Sequence, residues 1–330
     1  MSRAPLTFGA PIRDAISSIQ FAPQSDNLLV SSWDSCLRLY DVGSSVLRLE
    51  AQSEASLLDC CFENEFTAFT AASDGSIRRY DLHTGNSEVI GNHDDLSVFV
   101  GYSDETCQVI SAGLDNKILY WDTRKKKDLL CLVNIGSEVD SMSVSGFDMT
   151  VAVGRSVYMY DLRNLSRPIQ TKKSVMDVQI KCVSSLPNSR GFAVGAVDGR
   201  VAVELSSSSY SDDIRYVFRC HPKSMDKRFH LVSVNDIAFN SLIGNAFFTG
   251  DNEGYVIAWD AQSRKRLFEL PRYQNSVASL SINHRGQLLA VASSYTYQEA
   301  NEIEATPQMF IERIDDVNTK SFSSGSSSRN

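Results

Sequence analysis

Short apolar runs alternate with polar, glycine-bearing punctuation along almost the whole chain. Segments such as ISSIQF (16–21) and VASLSI (277–282) alternate with a period of two, which puts successive side chains on opposite faces of a strand. Runs of this kind begin near Ile16, Leu57, Leu96, Val139, Ile180, Val234 and Val277. No stretch keeps the 3.6-residue period of a long amphipathic helix. The pattern predicts an all-β chain.

A second, longer period lies on top of the first. An Asp, five residues, then an aromatic-Asp pair recurs in SSWDSCLRLYD (31–41), AASDGSIRRYD (71–81) and SAGLDNKILYWD (111–122). Looser copies are AVGRSVYMYD (152–161), GAVDGRVAVE (195–204) and GDNEGYVIAWD (250–260). The first three copies end at Asp41, Asp81 and Asp122, about forty residues apart, the repeat length of a WD-type propeller blade. Seven first strands predict a seven-bladed WD-repeat β-propeller. The turn residues Asp34, Asp74, Asp115 and Asp198 sit where a hairpin needs positive φ, which Asp and Gly tolerate. Glu253 takes that place in blade six, where a weaker network is expected. His93, Ser111, Asp115 and Trp121 are expected to form one structural network in blade three, which makes His93 a packing residue. Trp121 and Trp259 hold the repeated aromatic place and read as packing too.

The last blade lacks an obvious outer strand, and LTFGAPIR (6–13) is expected to supply it, closing the ring and limiting exposed sheet edges. The propeller is assigned to residues 1–314. The Ser-rich tail, 315–330, is too polar to bury a core and is expected to be disordered. Residues 206–213 and 222–232 read as insertions.

Composition narrows the function. Net charge is −8 and the pI about 5.2, which disfavours a dedicated nucleic-acid binder. No run of about 18 apolar residues spans a membrane, and the first residues lack an apolar signal core. Seven scattered cysteines, with no CxxC, fit free thiols in a nuclear or cytosolic setting. There is no GxSxG, HExxH or P-loop, and His83, His93, His221, His230 and His284 show no metal spacing. Neither catalysis nor a cofactor nor a metal is expected.

Recognition chemistry concentrates in 193–221. Arg200 follows the Asp198-Gly199 turn and Arg219 ends the next strand, so both approach one rim of blade five. Lys181 opens that blade and Lys223 follows it. Arginine forks suit phosphate or carboxylate oxygens; alternatively, Arg200 pairs with local acids such as Asp212 or Asp213. Trp33, at a hairpin tip, is placed to project onto the same face as an apolar anchor. The basic runs 124–127 and 264–266 fall in turns of the opposite face and read as solvated.

At these residues the chain resembles the mitotic-checkpoint propellers of the budding-uninhibited-by-benzimidazole family, close cousins of the messenger-RNA export propellers. The resemblance rests on DAISSIQFAP, LLVSSWDSCLRLYDV, LLDCCF, VYMYDLRN, DGRVAVE, FRCH, RKRLFEL and LLAVASSYTY, and runs from Asp14 to Tyr297. It implies a non-enzymatic adaptor, a monomeric propeller working in complexes. Such adaptors bind a motif of checkpoint kinases or pseudokinases across the top face. They also dock phosphothreonine motifs of a kinetochore scaffold, and act in the nucleus and at kinetochores, with the cytoplasm also open. Arg200 and Arg219 match the family's phosphate-contacting arginines, Lys181 stands where another arginine is usual, and Trp33 matches the first of two partner-binding tryptophans. Leu114 stands in place of the second, a loss of ~2 kcal/mol or more at an anchor position. His221-Pro222 and DVQIKC (177–182) also depart from the family. Two other readings stay open: an RNA-export adaptor at nuclear pores, and a substrate receptor of a cullin-type ubiquitin ligase through WDTR (121–124) and YDLR (160–163).

Overall fold

A computed structural model describes residues 11–124, 129–186, 190–206, 214–220, 232–240, 246–297 and 305–314. Within them the chain forms seven antiparallel sheets, six of four strands and one of three, each meandering outward from its first strand. Every first strand packs against the first strand of the next sheet, and that of the seventh packs against that of the first. The result is a closed seven-bladed propeller.

Alternation explains the packing. The second and third strands of each blade are covered on both faces by neighbouring blades, so they read as near-continuous apolar runs. Leu29 and Leu37 of blade one, for example, share a cluster with Leu57, Phe62 and Tyr80 of blade two. Small residues let blades approach. A methyl group at Gly195 would come within 2.6 Å of Cys182 Sγ and 2.7 Å of Val234 Cγ1.

The first strands are sheet edges facing a central channel, and their N–H groups need partners. Neighbouring blades supply them. Ser281 Oγ accepts from Phe21 N–H (2.9 Å), Gln20 Oε1 from Phe62 N–H (2.8 Å) and Asp59 Oδ2 from Val100 N–H (2.9 Å). Ser141 and Ser143 accept from Val183 and Ser185, and Asp236 Oδ2 accepts from Leu280 N–H at 2.6 Å. Each acceptor therefore bolts one blade to the next.

Asp59 does this at a cost. Burial pushes its pKa up to about 6, despite the N–H groups of Val100 and Cys60. A carboxyl whose folded pKa is raised contributes stability that is present below pH ~4 and lost as pH rises through about 6. Asp59→Asn is expected to abolish this loss: between pH 5 and 7.5, wild type should lose about 1–1.5 kcal/mol more stability than the variant. Parallel urea titrations at the two pH values check it; equal pH dependence would contradict it.

Blade seven shows three strands, Val277–Ile282, Leu288–Ser293 and Gln308–Arg313. The closing strand expected over 6–13 lies mostly outside the described residues. Of its last part, Ile12 is buried in one cluster with Ala290, Ala292 and Met309, and Arg13 N–H donates to Asp34. The tail from 315, most of 206–213 and nearly all of 222–232 also lie outside them.

Two turn expectations are corrected. Positive φ falls not on the turn Asp but on the residue after it: Ser35, Gly75, Asn116 and Gly199. The Asp carboxylate does accept backbone bonds, as its place in the turn leads one to expect, from the N–H two residues on: Cys36 to Asp34 (3.1 Å) and Lys117 to Asp115 (3.1 Å). In blade six Glu253 precedes the positive-φ Gly254, yet the acceptor is Asp251, which takes N–H bonds from Glu253 (3.0 Å) and Tyr255 (2.8 Å).

Candidate functional site

In blades one, two and five the turn carboxylate is matched by its own arginine, and where that arginine lies differs between blades. In blade one Arg38, four residues after Asp34, grips it with both Nη atoms at 3.0 and 2.6 Å and reaches Glu50 at 3.2 Å. Burial pushes the Asp34 carboxyl up, but Arg38 and the local N–H donors outweigh it and hold the pKa below the ordinary value. Arg78 does the same for Asp74 in blade two (3.1 Å), assisted by Glu54 (2.9 Å). These guanidiniums are 2% and 8% exposed, so their charge is spent inside.

Blade three uses His93 instead. Its Nδ1 lies 2.9 Å from Asp115 Oδ1 and its Nε2 2.7 Å from Ser111 Oγ. Burial holds the imidazole below its ordinary pKa, against the pull of Asp115. Trp121 meets His93 ring edge to ring, centroids 6.4 Å apart. In blade six, by contrast, Trp259 Nε1 donates to Thr249 at 3.0 Å.

Blade five departs from this pattern. Four residues after Asp198 stands Ala202, and the cation has moved two places toward the turn: Arg200 Nε donates to Asp198 Oδ2 at 2.6 Å. Arg200 is 31% exposed. Arg200 and Arg219 are direct cross-strand partners, on the third and outermost strands of the blade (Arg200–Ser206 and Ile214–Arg219). Arg219 is exposed and donates from Nη1 to the Asp198 carbonyl at 2.7 Å. Asp198 thus receives one guanidinium on its carboxylate and the other on its backbone. Gly199 makes room: its φ is +79°, and a methyl there would lie 2.6 Å from the Val232 carbonyl. The acid beside Arg200 is the turn residue itself; Asp212, Asp213 and Lys223 lie outside the described residues.

Trp33, Leu114 and Lys181 line a different feature, a cavity of about 580 Å³ at the mouth of the central channel, together with Asp59, Asp140 and Asp236. Neither arginine lines it. Lys181 sits on the innermost strand of blade five, two strands in from Arg200, or roughly 10 Å at the usual strand spacing. The structure thus places Lys181 on the lining of the central cavity and the two arginines on the outer strands of the blade. Sequence reasoning also missed Tyr295 and Tyr297, which stand beside Trp33. The only linear signal for them is the aromatic pair in SSYTY (293–297).

On the opposite face, Arg124 folds back on Asp122 with Nε and Nη2 both at 2.8 Å. Arg163 does likewise on Asp161, at 2.8 and 2.6 Å, while lying over the Phe147 ring. In the run 264–266 Arg264 covers Tyr216 and Arg266 pairs with Glu269, whereas 125–127 lie outside the described residues.

Repeat, ring and turn chemistry together define a WD-repeat β-propeller; the WD domain, G-beta repeat family matches residues 6–41. The mitotic checkpoint protein BUB3.3 of Arabidopsis thaliana is 55% identical over 95% of this chain and 100% of its own length, and BUB3.1 of the same plant 38% identical over 94% and 93%. A poly(A)+ RNA export protein of Schizosaccharomyces pombe is 27% identical over 88% and 84%. The chain belongs to the BUB3 family of mitotic checkpoint WD-repeat proteins.

Proposed function

We propose that this chain is a non-enzymatic adaptor of the spindle assembly checkpoint. It docks phosphothreonine motifs of a kinetochore scaffold and recruits checkpoint kinase or pseudokinase partners, so delaying anaphase. The observation that carries the reading is the cross-strand pair Arg200–Arg219, held at one turn, with Arg219 exposed and Arg200 half-buried where the equivalent cations of blades one and two are buried. A phosphate dianion offers several acceptor oxygens, enough to engage both forks. Trp33 and Leu114, at the central cavity, anchor the partner segment, and Lys181 adds charge there rather than beside the phosphate. The site of action is the nucleus and, in mitosis, the kinetochore.

The likeness to an RNA export protein supports a second reading, an adaptor at nuclear pores. A fluorescent fusion followed through mitosis separates the two. The checkpoint reading expects signal at unattached kinetochores, lost in Arg200→Glu. A nuclear-rim signal with no kinetochore signal at any stage would overturn it in favour of export.

A further inference from the structure

We propose that Asp14, Tyr295 and Tyr297 form a positioning cluster that fixes the Trp33 indole at the rim of the central cavity. The inference builds on the reading of Trp33 as a partner anchor. The backbone of Trp33 is already pinned: its N–H donates to the Ala15 carbonyl (2.9 Å) and its carbonyl accepts from Ser56 Oγ (2.9 Å). Those bonds leave the indole free to rotate about its side-chain torsions. What it meets is Tyr297, edge to face, with centroids 5.5 Å apart and planes at 72°.

Tyr297 is held in turn. Its hydroxyl donates to Asp14 Oδ1 at 2.7 Å, and that same oxygen accepts from the Tyr295 hydroxyl (2.9 Å) and the Ala15 N–H (2.7 Å). Tyr295 packs edge-on against Tyr297, centroids 5.0 Å apart, and lines the cavity as Trp33 does. Tyr297 has φ +58°, a region that bulky side chains avoid and keep only where surrounding contacts over-determine it. Closure of the seam between blades seven and one accounts for the buried Tyr295. It does not account for Tyr297, which is 53% exposed and packs against the half-buried indole and Tyr295. An aromatic wall set this way presents a rigid edge to an apolar side chain of an extended partner segment.

Tryptophan emission tests the claim, because Trp121 and Trp259 are only 4% and 9% exposed, so iodide quenching reports Trp33. Tyr297→Ala is expected to raise the iodide quenching constant and broaden the emission, with Tyr297→Phe between it and wild type. The melting temperature should stay within about 3 °C of wild type. A synthetic peptide spanning the propeller-binding segment of a checkpoint kinase from the same organism should bind Tyr297→Ala about three- to tenfold more weakly. Unchanged quenching in both variants overturns the proposal, as does raised quenching with unchanged peptide affinity. Should wild type ignore the peptide, the partner reading of Trp33 falls, while quenching still decides whether the cluster holds the indole.

Discussion

Replacing Arg200 and Arg219 together with glutamate should weaken binding of a phosphothreonine peptide by roughly two to four orders of magnitude. A hydrogen bond to a charged group contributes about 1.5–3 kcal/mol, so two lost arginine contacts remove about 3–6 kcal/mol. Both side chains reach solvent, so the ring should survive the change; unchanged far-ultraviolet circular dichroism checks that. Lys181→Ala provides the contrast. It lines the central cavity rather than the arginine pair, so phosphopeptide affinity should stay within about threefold of wild type. Calorimetric titration of both variants decides the point. A large loss in Lys181→Ala would merge the two sites again.

The second large effect is on stability. Arg38→Met leaves the Asp34 carboxylate, whose side chain is 6% exposed, without its guanidinium. Breaking a buried ion pair from one side costs about 3–5 kcal/mol. Arg200→Met removes the corresponding partner of Asp198, but at the surface, where such a pair is worth about 0–1 kcal/mol. Urea unfolding should therefore separate the two variants widely, with Arg38→Met giving much the lower midpoint. Equal midpoints would mean that burial does not distinguish the two turn pairs. That outcome would remove the structural argument for treating Arg200 as a presented rather than a spent charge.

The propeller is legible in the sequence because its causes are local. Two-residue alternation, the forty-residue repeat and the hairpin turns are each contained within one blade, and the seven first strands fall where the apolar runs begin. What escapes linear reading depends on three-dimensional register. Arg38 and Arg200 look alike in sequence, and only the step from four residues after the Asp to two sends one inward and the other out. Lys181 and Arg200 belong to one blade, yet the width of two strands puts them at different features. Asp14 and Tyr297 lie at opposite ends of the chain and meet only because the ring closes. In blade six the acceptor moves from Glu253 to Asp251, since the shorter carboxylate lies within reach of both the Glu253 and Tyr255 N–H groups.

The direct measurement is calorimetric titration of the wild-type chain with one kinetochore-scaffold peptide in two forms, its threonine phosphorylated or unmodified. The arginine pair predicts that the phosphorylated form binds at least about a hundredfold tighter, with the preference shrinking as salt rises. Equal affinities for the two forms would contradict it.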